Sequence, residues 1–98
     1  MPEAFPSPKA PSELTRQVCV ISEQGLHARP AAKLAQTAQR FASAITITCG
    51  EQEVDAKSIL DILTLAAGHG ANLTLRATGH DAGPALDELA ALFKNRFQ

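Results

Sequence analysis

The sequence predicts an α+β domain in which helices pack on one face of an antiparallel sheet. Short runs alternate apolar with polar residues, as strands do, and longer runs repeat apolar residues at helical spacing. These segments follow the order β-α-β-β-α-β-α, which favours a mixed fold over an all-helical or all-strand one. The 98 residues, 45% of them hydrophobic, suffice for one small domain with an aliphatic core.

The first strand and the first helix flank a short turn. Alternation predicts the strand over residues 15–22, with Val18 and Val20 on one face. The helix is predicted over residues 28–40, and apolar residues at helical spacing mark its buried face: Ala31, Leu34, Ala35 and Ala38. Pro30 fits the first helical turn, because the missing N–H has no partner to lose there.

The middle of the chain is predicted to form a β-hairpin followed by a short helix. The hairpin strands cover residues 44–49 and 52–56, and the isoleucines of the first one face inward. Ser58 is a candidate N-cap for a helix over residues 59–67, because a serine oxygen can accept a hydrogen bond from the first helical turn.

The last strand and the last helix complete the domain. The strand is predicted over residues 72–78, where leucine and alanine alternate with polar residues. Pro84 opens a helix whose apolar face extends to Phe97. Residues 14–98 are therefore expected to form the domain, and residues 1–13, which contain four prolines, a flexible extension.

Composition and charge argue against several classes of protein. The formal net charge of −1 lacks the basic excess typical of nucleic-acid binders. No apolar run approaches the ~20 residues of a transmembrane helix. No signal-peptide core is present either, so we expect a cytoplasmic protein. Cys19 and Cys49 lack metal-ligand spacing and are expected to be reduced structural thiols.

The segment GLHARPAA, residues 25–32, is the most informative part of the chain. It places His27 where a turn ends and a helix begins, and a helix start suits a phosphate group. The backbone amides of Ala28 and Arg29 can bind that phosphate, and the Arg29 guanidinium offers a planar set of donors. The His27 ring can go further, because its nitrogen can accept a phosphoryl group covalently.

These residues also have plainer interpretations. His27 would then merely cap the helix, and Arg29 would be a solvated surface charge. The proline and the small residues beside them favour the phosphate site. His69 and His80 are expected to be exposed loop residues. Because the three histidines lack ligand spacing, we expect no metal. Phosphoryl transfer depends mostly on positioning and charge stabilisation, so we expect no cofactor either.

The predicted helix after Ser58 contains more apolar residues than one buried stripe needs. Ile62 and Leu65 are expected to face the sheet, which leaves three residues for an exposed patch beside His27: Ile59, Leu60 and Leu63. Such a patch would be a docking surface, although the alternative is that all three belong to the core. Its basic rim would consist of Arg29, Lys33, Lys57 and Arg40.

Two motifs at this separation, GLHARPA at residues 25–31 and AKSIL at residues 56–60, resemble the HPr family. These are the histidine-containing phosphocarrier proteins of the bacterial phosphoenolpyruvate:sugar phosphotransferase system. The resemblance extends from residue 14 to about residue 97. It implies an open-faced β-sandwich, a four-stranded antiparallel sheet covered by three helices. The chain departs from the family in its proline-rich tail and at Gln24.

The resemblance also implies a role for each motif. His27 would match the histidine that phosphorylated Enzyme I modifies on Nδ1 and that passes the group to enzyme IIA domains of sugar transporters. Arg29 would match the arginine that attends the phosphohistidine. Ser58 would match the regulatory serine of HPr kinase/phosphorylase. The protein would thus be a carrier and a protein substrate of Enzyme I rather than an enzyme.

Two alternatives stay open at this point. The chain could be a regulatory module, phosphorylated at Ser58, that acts as corepressor of a transcriptional regulator. It could also be a nitrogen-related paralogue that keeps the histidine but serves a regulatory branch. Known regulatory modules of the corepressor kind lack the histidine, so its presence favours the carrier over that module. Nothing in the sequence indicates a self-complementary surface, and we expect a monomer.

Overall fold

The structure, a computed structural model, describes residues 13–21, 23–65 and 67–97. Within these ranges the predicted element order is confirmed: β1 (Glu13–Cys19), α1 (Ala28–Gln39), β2 (Ala44–Cys49), β3 (Gln52–Asp55), α2 (Ile59–Leu63), β4 (Asn72–Thr78) and α3 (Ala82–Lys94). Residues 1–12 of the predicted extension lie outside the described ranges, and there the extension stays a prediction. Its last residue, Glu13, instead begins β1 and pairs with Thr78.

The strands form one antiparallel sheet in the order β1-β4-β2-β3. In the central strand β4, Leu75 lies opposite Arg16 of β1 and Ile47 of β2. One set of alternating side chains on β2 and β4 is at most 1% exposed: Ile45, Ile47, Leu73, Leu75 and Ala77. The opposite set is polar or exposed, as on Arg76. The predicted open-faced sandwich is therefore confirmed.

The helices cover the apolar face of this sheet. Helix α3 packs on β1 and β4, α1 packs on α3 and α2, and α2 also contacts β3. The predicted buried face of α1 is confirmed, with all four of its residues 0% exposed: Ala31, Leu34, Ala35 and Ala38. Burying the Leu34 side chain contributes about 1.5–3 kcal/mol to the stability of the fold, and the smaller alanine side chains contribute less. No helix within the described ranges is long and apolar enough to cross a membrane.

Helix α2 is shorter than predicted, because it ends at Leu63 rather than at residue 67. The N–H and Oγ1 of Thr64 both donate to Asp61 O, at 3.0 and 2.6 Å, and Leu65 N–H donates to Ile62 O at 3.1 Å. These bonds to the third residue back tighten the chain and end the α-helix. The expected burial of Ile62 and Leu65 is confirmed, at 0% and 5% exposure.

Other boundaries shift by one to three residues. Strand β1 spans Glu13–Cys19 rather than residues 15–22, and residue 22 lies outside the described ranges. Helix α1 ends at Gln39 rather than at residue 40, and β3 ends at Asp55 rather than at residue 56. Helix α3 begins at Ala82, so that Pro84 is its third residue, where the missing N–H again has no intrahelical partner to lose.

The end of α3 differs from the prediction that its apolar face continues to Phe97. The helix ends at Lys94, and Arg96 and Phe97 have φ angles of 57° and 62°, which reverse the chain. Phe97 N–H donates to Leu92 O at 2.7 Å. The Phe97 ring then lies edge-on to Phe93, with ring centroids 5.0 Å apart. Phe97 therefore folds back onto the helix instead of extending it.

A carboxylate joins the loop before β2 to the start of α3. Asp81 is the N-cap residue of α3, and it accepts hydrogen bonds from the Ser43 hydroxyl, from Ala42 N–H at 2.8 Å and from Ser43 N–H at 2.9 Å. These bonds, with the Ser43 hydroxyl contributing most, lower the pKa of Asp81 from 3.8 to about 2. A Cβ at Gly79 would meet Ser43 Cα at 2.7 Å, so the closely packed loop requires glycine there.

Candidate functional site

The loop that carries His27 is fixed by a contact with the segment after α2. Gly25 has a φ of +70°, and a Cβ at this position would lie 2.6 Å from Ala67 O. The next residue, Leu26, is buried and donates its N–H to the same oxygen at 3.1 Å. Because only glycine allows this close approach, Gly25 sets the backbone position from which His27 projects.

His27 is the N-cap residue of α1, in the position that the sequence predicts. Its backbone is extended, with φ −103° and ψ −169°, and its carbonyl accepts the first helical hydrogen bond from Ala31 N–H at 3.0 Å. The side chain is half-buried and makes no capping hydrogen bond. The interpretation of the His27 imidazole as a mere helix cap therefore finds no support in the geometry.

The first turn of α1 offers two backbone donors. Ala28 and Arg29 are the first two helical residues, whose N–H groups have no carbonyl partner within the helix. Pro30 follows as the third residue and has no N–H at all, while Ala31 N–H is already bonded to His27. Within residues 13–21, 23–65 and 67–97, the free donors at the start of α1 are therefore the amides of Ala28 and Arg29, directly beside the histidine.

The cations near this turn differ in whether a carboxylate lies close enough to pair with them. Arg29 and Lys33 are exposed, and neither has a carboxylate oxygen within 4.0 Å in the described part of the chain. Arg40, also assigned to the basic rim, lies 2.8 Å from the Glu88 carboxylate. Arg29 is thus an available guanidinium two residues from His27.

The turn before α2 is tied to the other end of α1. Lys57 Nζ donates to Phe41 O at 2.7 Å, and Gln39 Nε2 donates to Lys57 O at 2.8 Å. Ser58 is confirmed as the N-cap of α2, because its Oγ accepts from Asp61 N–H at 3.1 Å. The helix that His27 caps therefore ends against the turn that contains Ser58.

The three apolar residues assigned to docking are exposed on α2. The exposed fractions are 37% for Ile59, 76% for Leu60 and 40% for Leu63, so these side chains are not part of the core. Helix α2 packs against α1, which carries His27 at its start. Lys57, the fourth residue assigned to docking, is half-buried, and its ammonium group donates to Phe41 O just beyond the end of α1.

The remaining residues of chemical interest do not form a second centre. His69 and His80 are exposed, as expected. Cys19 is exposed, Cys49 is half-buried, and both are free thiols. No group of three histidine, cysteine or acidic side chains lies close enough to hold a metal ion in residues 13–21, 23–65 and 67–97.

The largest feature missed by the sequence analysis is the hydrogen-bonded turn around Ser58. Asp55 Oδ1 accepts from Lys57 N–H at 2.9 Å, and Asp61 Oδ2 accepts from Asp55 N–H at 3.4 Å. A signal was available, because an acidic residue stands three positions before Ser58 and another three positions after it. The contact between Lys57 and Phe41 has no comparable local signal.

The sequence matches a known protein family over most of its length. A family model described as the PTS HPr component phosphorylation site matches residues 14–95, which include both motifs and all of the sheet except its first residue, Glu13. The chain belongs to the HPr family. Members of this family are phosphocarrier proteins of the phosphotransferase system, so the resemblance noted in the sequence is confirmed.

Individual members show how similar the chain is to the family. It is 45% identical to the phosphocarrier protein HPr of Cupriavidus necator over 84 residues, which cover 86% of this chain and 94% of that protein. It is 44% identical to the phosphocarrier protein NPr of Shewanella violacea over 86 residues, covering 88% and 94%. The HPr crystal structure from Bacillus anthracis matches with a TM-score of 0.78 at 42% identity, over 83% of this chain and 96% of that one. Family membership therefore does not select between HPr and NPr.

Proposed function

We propose that the protein carries phosphoryl groups on His27, accepting them from phosphorylated Enzyme I and delivering them to enzyme IIA domains of sugar transporters. One observation carries this proposal within the family. His27 stands at the start of α1 with no side-chain capping bond, beside the amides of Ala28 and Arg29, which have no carbonyl partner within the helix. A nucleophile and a set of phosphate donors thus converge on one exposed turn.

The transfer step needs few groups. The lone pair on His27 Nδ1 forms the new N–P bond while the bond between phosphorus and the donor on Enzyme I breaks. The phosphoryl oxygens then accept hydrogen bonds from the Ala28 and Arg29 amides and from the Arg29 guanidinium. A helix start stabilises a nearby anion by only about 0.3–1 kcal/mol, so the site positions the phosphoryl group without trapping it.

Partner proteins are proposed to complete the site. The pocket of about 350 Å³ between β1 and α3 contains none of the residues assigned to phosphoryl transfer. His27 lies on an accessible turn instead, and the patch of Ile59, Leu60 and Leu63 would dock Enzyme I and the IIA domains, with Lys57 at its edge. A small interface of this kind suits brief encounters by a monomeric carrier with several partners.

Regulation is proposed at Ser58 through HPr kinase/phosphorylase. A phosphoryl group there adds about −1.5 to −2 charge next to the proposed docking patch and disfavours an acidic partner. The modification would give acid-stable label from ATP in the presence of that kinase, and the label would be lost in Ser58→Ala.

The carrier function is tested with Enzyme I, Mg²⁺ and phosphoenolpyruvate labelled on its phosphate. We expect acid-labile label on the native protein, none on His27→Ala, and undiminished label on His69→Ala, the matched control at an exposed histidine. Circular dichroism establishes that His27→Ala remains folded. Label that survives in folded His27→Ala, or a native protein that takes no label, contradicts the proposal.

A regulatory paralogue is the second candidate, favoured by the nearly equal similarity to the protein named NPr. In this case the same His27 chemistry would serve a nitrogen-related branch. The two candidates separate when the phosphorylated protein is offered equal amounts of a sugar-branch and a nitrogen-branch IIA domain. Faster transfer to the sugar-branch domain supports the carrier for sugar uptake, and the reverse supports the paralogue. The corepressor alternative instead requires that Ser58-phosphorylated protein bind a transcriptional regulator.

A further inference from the structure

The outer edge of β1 is open to pairing with another strand. β1 is the first strand in the sheet order β1-β4-β2-β3, so it has only one neighbouring strand within the described residues. Val20 N–H donates to Ala71 O at 2.9 Å, on the β4 side, and backbone direction alternates along a strand. The N–H and C=O groups of Thr15, Gln17 and Cys19 therefore point away from β4, toward the open edge.

Helix α3 runs alongside β1 in the same direction. A Cβ at Gly83 would lie 3.8 Å from Leu14 Cδ1, and further along both elements Arg16 Nη2 lies 2.7 Å from Asp87 Oδ1. Two residues of a strand and four residues of a helix each advance about 6–7 Å, so the two contacts are in step. The later residues of β1 therefore lie beside the later residues of α3.

The pocket of about 350 Å³ between these two elements has an apolar wall and a cation at one end. Val18 and Ile21 contribute to the wall from the strand side, and Ala90 and Phe93 contribute from the helix. Lys94, also part of the wall, is exposed and has no carboxylate oxygen within 4.0 Å in the described part of the chain. It stands about 10 Å along α3 from the ion pair of Arg16, so it marks the opposite end of the pocket.

We propose that the open edge of β1 and this pocket together bind an extended peptide segment of a partner protein. The segment pairs antiparallel with β1, as neighbouring strands do throughout this sheet. Because alternate side chains of a strand share one face, an apolar residue of the segment opposite Val18 enters the pocket. In an antiparallel pair, the residue two positions earlier lies toward Lys94, where an acidic side chain is favoured. The recognised pattern is therefore an acidic residue, any residue and an apolar residue.

Charge and backbone direction favour such a segment over other occupants. Pairing of two β1 strands would bring a second Arg16 to a pocket that already contains Arg16 and Lys94, and like charges across a strand pair repel. An apolar small molecule would fill the pocket but leave the backbone groups at the edge without partners. The pocket contains none of the residues proposed for phosphoryl transfer, so peptide binding at β1 is independent of chemistry at His27.

The test uses the full-length protein and a peptide of sequence Thr-Glu-Thr-Leu-Thr-Thr with acetylated and amidated ends. On NMR titration, hydrogen exchange of the Thr15, Gln17 and Cys19 amides should slow about tenfold when about nine-tenths of the protein is bound. Serine in place of the peptide leucine should raise the Kd at least about tenfold, because the apolar contact is lost. N-methylation of the third and fifth peptide residues, whose amides face β1, should abolish binding.

Variants of α3 test the pocket itself. Ala90→Leu fills it and should raise the Kd at least about tenfold, whereas Ala91→Leu, the matched change at the next position, which is exposed and outside this pocket, should leave the Kd unchanged. Lys94→Glu should weaken binding of the peptide about threefold and strengthen, by a similar factor, binding of a peptide with lysine in place of glutamate. If Ala90→Leu does not fold, this exchange of charges decides.

Several outcomes overturn the proposal. Absence of peptide binding does so, as do equal effects of Ala90→Leu and Ala91→Leu in folded variants. Unchanged binding of the N-methylated peptide would mean that the pocket binds without strand pairing. A dimer in sedimentation equilibrium that Ala90→Leu dissociates would assign the edge to a second copy of the chain instead.

Discussion

The ammonium group of Lys57 donates a 2.7 Å hydrogen bond to the carbonyl of Phe41, just beyond the end of α1. The last turn of α1, all of it described, contains no basic residue of its own. A cation near a helix C-terminus interacts favourably with the carbonyl end of the helix. Lys57 thus supplies a cation at this end of α1 from the turn between β3 and α2, and joins the helix of His27 to the turn of Ser58.

Removing this ammonium is expected to destabilise the fold. Lys57→Met keeps the length of the side chain but loses the charged donor, and we expect a loss of about 1 kcal/mol in the free energy of unfolding. Urea denaturation measures the change. The control is Lys33→Met on the exposed side of α1, which should stay within about 0.5 kcal/mol of the native protein. Equal effects of the two substitutions would show that the contact with Phe41 contributes nothing.

Gly25 is expected to tolerate no side chain. In Gly25→Ala the new Cβ would lie 2.6 Å from Ala67 O at a φ of +70°, so both a clash and backbone strain arise. We expect a loss of more than about 2 kcal/mol in stability and slower phosphorylation of His27 by Enzyme I.

The matched control for this glycine is Gly50, which has a φ of +61° but no atom within 4 Å of the added Cβ. Gly50→Ala measures the backbone strain alone, about 1 kcal/mol, and should leave His27 phosphorylation unchanged. If the two alanine variants lose the same stability and label at the same rate, the contact with Ala67 does not position the site.

The parts of the fold and site that the sequence predicts depend on local chemistry. Apolar periodicity is sufficient for the element order, because each buried face must repeat with the period of its own helix or strand. His27 could be placed at a helix start because Pro30 fits only the first turn, and Ser58 because an N-cap serine bonds within three residues.

The parts that the sequence does not predict depend on contacts between distant segments or on competing local bonds. The pairing of β1 with β4, and the bond from Lys57 to Phe41, exist only once the whole chain has folded. Helix α2 stops early because Thr64 bonds back to Asp61, although the apolar pattern continues beyond it. Phe97 fits the helical spacing of α3 but follows a reversal of the chain that periodicity does not reveal.

Leu60 is expected to contribute to partner binding and little to stability. Its side chain is 76% exposed, so Leu60→Ala should change the free energy of unfolding by less than about 0.5 kcal/mol. If the α2 patch docks Enzyme I, the Kd for that partner should rise by about fivefold or more. Leu14→Ala is the control, since Leu14 is 46% exposed on β1, outside the patch. Titration calorimetry that finds the same Kd for both variants contradicts docking through Leu60.

The Asp81 carboxylate is expected to link stability to acid pH. Its pKa in the folded protein, about 2, lies below the ordinary value of 3.8, so folding favours the charged form. The stabilisation is therefore fully present above pH 3.8 and is lost as the pH falls through about 2. Asp81→Asn should be less stable than the native protein near neutral pH, and the difference should shrink as the pH falls between these two values.

Ser43 provides the control for this pH dependence, because its hydroxyl is the largest cause of the lowered pKa. In Ser43→Ala the pKa of Asp81, followed by carbon NMR of the carboxyl group, should move upward toward 3.8. Urea denaturation at a series of pH values then gives a flatter acid limb for this variant than for the native protein. The difference in the free energy of unfolding between the native protein and Asp81→Asn should change with pH in the acid range. If that difference stays constant, this carboxylate does not link folding to pH.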